Sequence, residues 1–205
     1  MPTIKMQTRE ISCKIVYYGP GLGGKTTNMK YIFMKTNPKF KGKLVSLATE
    51  TDRTLFFDFL PIAFQKVAGF DLRFQLFTVP GQVYYTESRR IILKGADGVV
   101  FVADSHPARE DANVESMGDL AKNLTFYGMT LKDIPIVIQY NKRDLENAMD
   151  VEKMRKVLNY INVPDFEAIA IRGVGVFETF NEIARMVLAR VQEQLQAGKP
   201  KHEEG

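Results

Sequence analysis

A chain of 205 residues, 45% hydrophobic and 25% charged, suits one globular domain with a sizeable core and is short for two. Its net charge of +4 is too small to argue for a nucleic-acid partner, and its one cysteine, Cys13, excludes an internal disulfide and fits a reducing compartment. No apolar run approaches the roughly 20 residues needed to cross a membrane, "MPTIKMQTRE" does not read as a signal peptide, position 2 is Pro rather than Gly, and "KHEEG" holds no Cys, so the expectation is a cytoplasmic protein without a direct lipid anchor.

"ISCKIVYY" (Ile11 to Tyr18) is rich in Ile, Val and Tyr and predicts a strand. "GPGLGGKT" (Gly19 to Thr26) follows and fits G-x-x-x-x-G-K-[ST]. Behind it "KTTNMKYIFMK" places Met29, Ile32 and Phe33 at helical spacing. A strand before and a helix after are the flanks a phosphate cradle requires, and they argue against an incidental Gly-rich turn. Gly19, Gly21, Gly23 and Gly24, with Leu22 among them, let the backbone approach a phosphate chain. The helix start adds N–H donors and a positive dipole end. Lys25 would reach the β- and γ-phosphates and the Thr26 hydroxyl would bind Mg²⁺, with Thr27 next in the cradle. The motif alone does not say which base is bound or whether hydrolysis occurs. The run Lys35, Lys39, Lys41 and Lys43 reads as a solvated loop.

"PIAFQKV" and "FDLRFQLFT" alternate, and Ala68-Gly69 between them predicts a hairpin. "GVVFVAD" and "IPIVIQY" are short continuous apolar runs that suit strands buried on both faces of a parallel sheet. Helical patterns follow each, roughly Arg109 to Tyr127 and Val151 to Asn159. "FEAIAI" predicts a last strand, and "VFETFNEIARMVLARVQEQL" a closing helix with Phe177, Phe180, Ile183, Ala184 and Val187 on one face. The pattern predicts an α/β domain of three layers over residues 1–195, with a polar flexible tail over 196–205.

"NKRD" (Asn141 to Asp144) stands at the carboxyl end of a predicted strand, where open α/β sheets bind ligands. A carboxylate only accepts hydrogen bonds. Guanine presents two N–H donors, at N1 and N2, so Asp144 can hold it in bidentate fashion, whereas adenine offers a lone pair at N1.

The cradle, "NKRD" and the strand–helix order resemble Ras-like small GTPases. More closely, "KIVYYGPGLGGKTTN", "RTLFFDFLP", "TVPGQVYY", "GVVFVADS" and "YNKRDL" resemble the MglA family of bacterial Ras-like GTPases, over about residues 9 to 195. The resemblance implies a six-stranded, mostly parallel Ras-like sheet with helices on both faces, and GTP/GDP with Mg²⁺ as ligands. It implies a molecular switch in cell polarity and motility, hydrolysing GTP slowly and stimulated by a Roadblock-domain activating protein of the MglB type. The chain would be a monomer when alone, and polarity or motility effectors would recruit it to a cell pole.

Most Ras-like proteins have Asp-x-x-Gly after the third strand, where the Asp holds a Mg²⁺ water and the Gly amide feels the γ-phosphate. Here the residues are Thr78-Val79-Pro80-Gly81. Thr78 is neutral and shorter, and the MglA family also has Thr there. Asp58 and Asp52 are the candidates to substitute. The resemblance implies that Gln82 orients the attacking water, since its amide accepts from water and donates to phosphate. "ATETDRTLFFDFLP" would hold the first switch, with Thr54 on Mg²⁺ and Arg53, by resemblance, an arginine finger in cis. Ala170 and Ile171 fall where Ras-like proteins have Ser-Ala-Lys, so Ala170 joins the base-side loop. Two other functions compete: a GTP-loaded scaffold with negligible hydrolysis, as the missing Asp suggests, and a P-loop ATPase or nucleotide kinase, against which "NKRD" argues.

Overall fold

The computed structural model describes residues 2–47, 57–67, 69–81 and 85–197. In chain order the elements are β1 (Thr3–Lys5), β2 (Glu10–Tyr18), α1 (Lys25–Lys35), β3 (Val45–Leu47), β4 (Phe57–Val67), β5 (Phe70–Thr78), α2 (Thr86–Leu93), β6 (Gly98–Asp104), α3 (Glu110–Phe126), β7 (Ile136–Asn141), α4 (Val151–Leu158), β8 (Asp165–Glu167) and α5 (Val176–Ala197). The strands form one sheet in the order β3-β4-β5-β2-β6-β7-β8, with β1 paired to β2. Six of them, β2 and β4 to β8, make the expected Ras-like sheet, and β1 and β3 extend it. β2 pairs in parallel with β5 over Glu10 to Tyr17, and with β6 only over Ile15 to Tyr18. The N-terminal part of that second edge is taken by β1, antiparallel, at Thr3 to Lys5.

Pairings from β5 through β2, β6 and β7 to β8 are all parallel. The carboxyl ends of β2, β5, β6 and β7 therefore emerge along one edge, which brings Gly19, Thr78, Asp104 and Asn141 together. β4 runs antiparallel to β5 as the predicted hairpin, with Phe59 opposite Phe77.

Alternation along β2 builds two cores. Ile11, Cys13, Ile15 and Tyr17 face Met29 and Ile32 of α1 and Phe180, Ile183 and Val187 of α5. Val16 and Tyr18 face the opposite layer, with Leu93, Leu120, Leu124 and Leu158. The predicted apolar face of α5 is this packing surface. Burial pushes the Cys13 thiol up to about 12, so it acts as a small apolar filler. β8 covers only Asp165–Glu167, shorter than "FEAIAI", and α5 stays helical to Ala197, into the stretch read as tail.

Candidate phosphate cradle and base-side loop

The turn between β2 and α1 wraps tightly. Gly24, the residue capping α1, has φ +104°, and a Cβ there would lie 2.1 Å from Asn141 Nδ2. Only glycine meets both demands. No side chain caps α1 and its first turn holds no acid, so its leading amides are left for an anion. Lys25 folds back over the turn, and its Nζ donates to the carbonyls of Gly19 (2.8 Å) and Pro20 (2.7 Å). The ammonium is pushed down to about 7, chiefly by burial and also by Arg89 and Arg109, with Asp58 opposing them. Thr27 is half-buried in the first turn of α1.

Beside the cradle stands Asp58, 1% exposed. Its Oδ2 accepts from Thr26 Oγ1 at 2.6 Å and from Thr78 Oγ1 at 3.0 Å, and its own N–H donates to Thr78 Oγ1 at 2.8 Å. The β4–β5 register sets this meeting. Of the two acids considered as substitutes at Thr78, Asp58 is beside it and Asp52 lies outside the described residues. A carboxylate and two threonine hydroxyls are hard oxygens, the donor type Mg²⁺ takes, and Mg²⁺ commonly relies on one or two carboxylates plus substrate phosphate. Among the described residues no group of three or more His, Cys, Asp or Glu forms an all-protein metal cage. Gly81 closes this side. A Cβ on it would lie 2.4 Å from Gly21 Cα and N, and 2.8 Å from Lys25 Nζ.

On the other side β7 delivers Asn141, which is buried. Its Nδ2 donates to the Gly23 carbonyl at 2.8 Å, and its Oδ1 accepts from the Ala170 N–H at 2.9 Å. Lys142, at φ +66°, turns the chain and donates from Nζ to Asp104 Oδ2 at 2.6 Å. Asp144 is left exposed and makes no hydrogen bond or ion pair among the described residues. Asn141 is thus a brace joining cradle, base-side loop and Ala170, while the Asp144 carboxylate faces solvent. Sequence reading missed two features: Arg109, which donates to the Gly21 carbonyl, and a buried amide pair, Asn28 and Gln139, behind the cradle. An Arg at a helix start and a Gln inside an apolar strand carry no motif. The residues read as catalytic, Gln82 and Arg53, and Thr54 of the metal set, lie outside the described residues.

A Gly-rich cradle at the β2–α1 turn and an exposed carboxylate, Asp144, at the end of β7, on one edge of this sheet, define a P-loop nucleotide-binding domain of the Ras-like class. The model of the ADP-ribosylation factor (Arf) family matches residues 2–187, and the chain belongs to this family of Ras-like GTPases. It is 59% identical over 192 residues to the Mutual gliding-motility protein MglA of Myxococcus xanthus (strain DK1622), covering 94% of this chain and 98% of that protein. The chain is a GTPase that binds guanine nucleotide. Among the described residues no helix is long and apolar enough to cross a membrane.

Proposed function

We propose that the chain is a GTP-driven switch in bacterial cell polarity and motility, formed by a single GTPase domain over residues 1–195. The observation that carries the nucleotide part is the pair of hydrogen bonds of Asn141, donated to the Gly23 carbonyl of the cradle and accepted from the Ala170 N–H beside the base-side loop. One ligand can then span both. The motility part is supported by likeness to a protein named for gliding motility.

On this reading the backbone from Gly19 to Thr27 and Lys25 take the phosphates. Asp144 accepts from N1 and N2 of guanine. Thr26 and Thr54 would hold Mg²⁺, with Asp58 and Thr78 beside it, and the ion when bound neutralises phosphate charge. Gly81 faces the terminal phosphate, Gln82 orients the attacking water, and Arg53 supplies a cation to the charge that develops in the transition state. Hydrolysis is slow until a Roadblock-domain partner of the MglB type holds the switch in the delivered geometry without contributing an arginine of its own. The chain is a cytoplasmic monomer when alone and reaches a pole through its partners.

Single-turnover hydrolysis of GTP and ATP in parallel, with and without such a partner, tests this. GTP alone should turn over, slowly, with a partner-dependent acceleration that Arg53→Ala removes while sparing nucleotide affinity. Equal turnover of ATP would sink the base assignment. Full stimulation of Arg53→Ala would move the missing cation to the partner.

A further inference from the structure

Arg109 ends the turn Pro107–Arg109 behind β6 and caps α3. Its Nη2 reaches across to the cradle and donates to the Gly21 carbonyl at 2.8 Å. Its Nε is buried without a hydrogen-bond partner among the described residues. Asp104 Oδ2 is 4.0 Å from it and already accepts from Lys142 Nζ at 2.6 Å. Among the described residues the guanidinium is therefore held at the cradle by one hydrogen bond to a backbone carbonyl, and its charge is shared with a carboxylate that Lys142 also claims.

The peptide it grips is a special one. Gly21 C=O and Leu22 N–H belong to the same planar, trans unit, so they point in opposite directions. A carbonyl fixed toward Arg109, outside the loop, aims the Leu22 amide into the loop. Leu22 itself sits at φ +63°, a conformation that leucine rarely adopts and that persists only when surroundings over-determine it. Its side chain is 72% exposed and cannot provide that hold. From the other side, Gly81 approaches the Gly21 backbone so closely that a Cβ would lie 2.4 Å from it. Gly21 would otherwise be free to turn its peptide over.

We infer that Arg109 is a positioning residue that locks the Gly21–Leu22 peptide so that the Leu22 N–H donates into the phosphate cradle, favouring the triphosphate over the diphosphate. The preference follows from place and charge. Gly21 lies against Gly81, which the proposed function sets facing the terminal phosphate, and the added anion gains most from an aimed donor and a nearby cation. The inference rests on reading residues 19–26 as the cradle.

The test measures release of fluorescent GDP and of a fluorescent non-hydrolysable GTP analogue from wild-type, Arg109→Ala, Arg109→Lys and Leu22→Gly proteins, and from the Leu22→Gly, Arg109→Ala double variant. Arg109→Ala should speed release of the triphosphate analogue about tenfold, the scale of one charge-assisted hydrogen bond. GDP release should change less than about threefold, and Arg109→Lys should recover part of the loss. In the Leu22→Gly background the effect of Arg109→Ala should shrink, because glycine tolerates positive φ without a clamp. Equal acceleration for both nucleotides, unchanged release of the triphosphate analogue, or full additivity with Leu22→Gly would overturn the inference. Failure of the wild type to bind either nucleotide would instead overturn the reading of the cradle. Should Arg109→Ala not fold, Arg109→Lys decides alone: a guanidinium clamp predicts faster triphosphate release there too, and wild-type release for both nucleotides would count against it.

Discussion

Asp58 supplies a carboxylate beside Thr78, where most Ras-like proteins carry the charge within the loop motif itself. The charge has moved one strand over, from β5 to β4, and faces back through Thr26 and Thr78. Removing it should do two things. Two threonine hydroxyls lose their acceptor, at a cost of about 1–3 kcal/mol of stability. The Mg²⁺ concentration needed for tight GTP binding should rise about tenfold or more. Asp58→Ala read by nucleotide release against Mg²⁺ concentration checks this. Adding Thr78→Asp should restore part of the Mg²⁺ response, since a carboxylate then returns from the neighbouring strand. An unchanged Mg²⁺ response in Asp58→Ala would remove Asp58 from the site. Lys25 makes a second prediction. The ordinary lysine value is 10.5, and this one is brought to about 7, chiefly by burial. Between those values the unfolded chain holds a proton that the folded chain lacks. The penalty for burying the ammonium is therefore fully present below about pH 7 and is relieved as pH rises toward 10.5. Phosphate in the cradle favours the charged form, so binding above pH 7 takes up a proton and affinity falls as pH rises. Melting temperature and GDP affinity measured against pH, wild type minus Lys25→Met, should show these opposite slopes. Identical pH profiles for the two proteins would refute the assignment.

At the scale of elements, Gln139 of β7 ties the layers behind the cradle. Fully buried in an apolar run, its Nε2 donates to Asn28 Oδ1 and Thr179 Oγ1, both at 3.0 Å, and its Oε1 accepts from Asn28 Nδ2 at 2.8 Å. Asn28 Nδ2 also donates to the Gly24 carbonyl at 3.0 Å. α1, β7 and α5 thereby share one polar joint under Gly24. Gln139→Leu leaves the Asn28 amide short of partners and should cost about 1–3 kcal/mol. It should also speed GDP release, whereas Val187→Ala, which opens the α5 core away from the cradle, should lower stability without that effect. Equal release rates in the two variants would mean the joint only supports the fold. Such joints also mark where sequence reading stops. The runs of β6 and β7, the β4–β5 hairpin and the apolar face of α5 were legible because burial imposes a period or a continuous run. β1 and β3 were not, since three residues carry no period and their pairing follows from open edges on β2 and β4. β8 ends early because Ala168 and Ala170 turn toward the base-side loop, with the Arg143 N–H on the Ala168 carbonyl and the Ala170 N–H on Asn141. In the site, the cradle and "NKRD" are contiguous motifs. The meetings of Asp58 with Thr26, and of Arg109 with Gly21, depend on strand register and a turn, and only a fold can bring them together.

At the scale of the whole molecule, the cradle is where separate parts of the sheet are tied. β2 runs into it, β7 holds it through Asn141, the β6–α3 connection through Arg109, and α5 through Gln139 and Asn28. A nucleotide that spans the cradle and Asp144 would add a further tie between the β2 and β7 sides. It binds the folded chain and not the unfolded one, so its binding energy appears as domain stability. At a free ligand concentration one hundred times Kd that amounts to about 2.7 kcal/mol. For a domain of this size each kcal/mol moves Tm by about 2–4 °C, so saturating GDP should raise Tm by about 5–11 °C. ADP brings the same diphosphate but places a lone pair at N1 opposite an acceptor-only carboxylate. At equal concentration it should raise Tm far less. Thermal unfolding of nucleotide-free protein titrated with GDP and with ADP makes the comparison directly. An ADP shift as large as that of GDP would mean that the phosphates alone carry the affinity, and that Asp144 does not read the base.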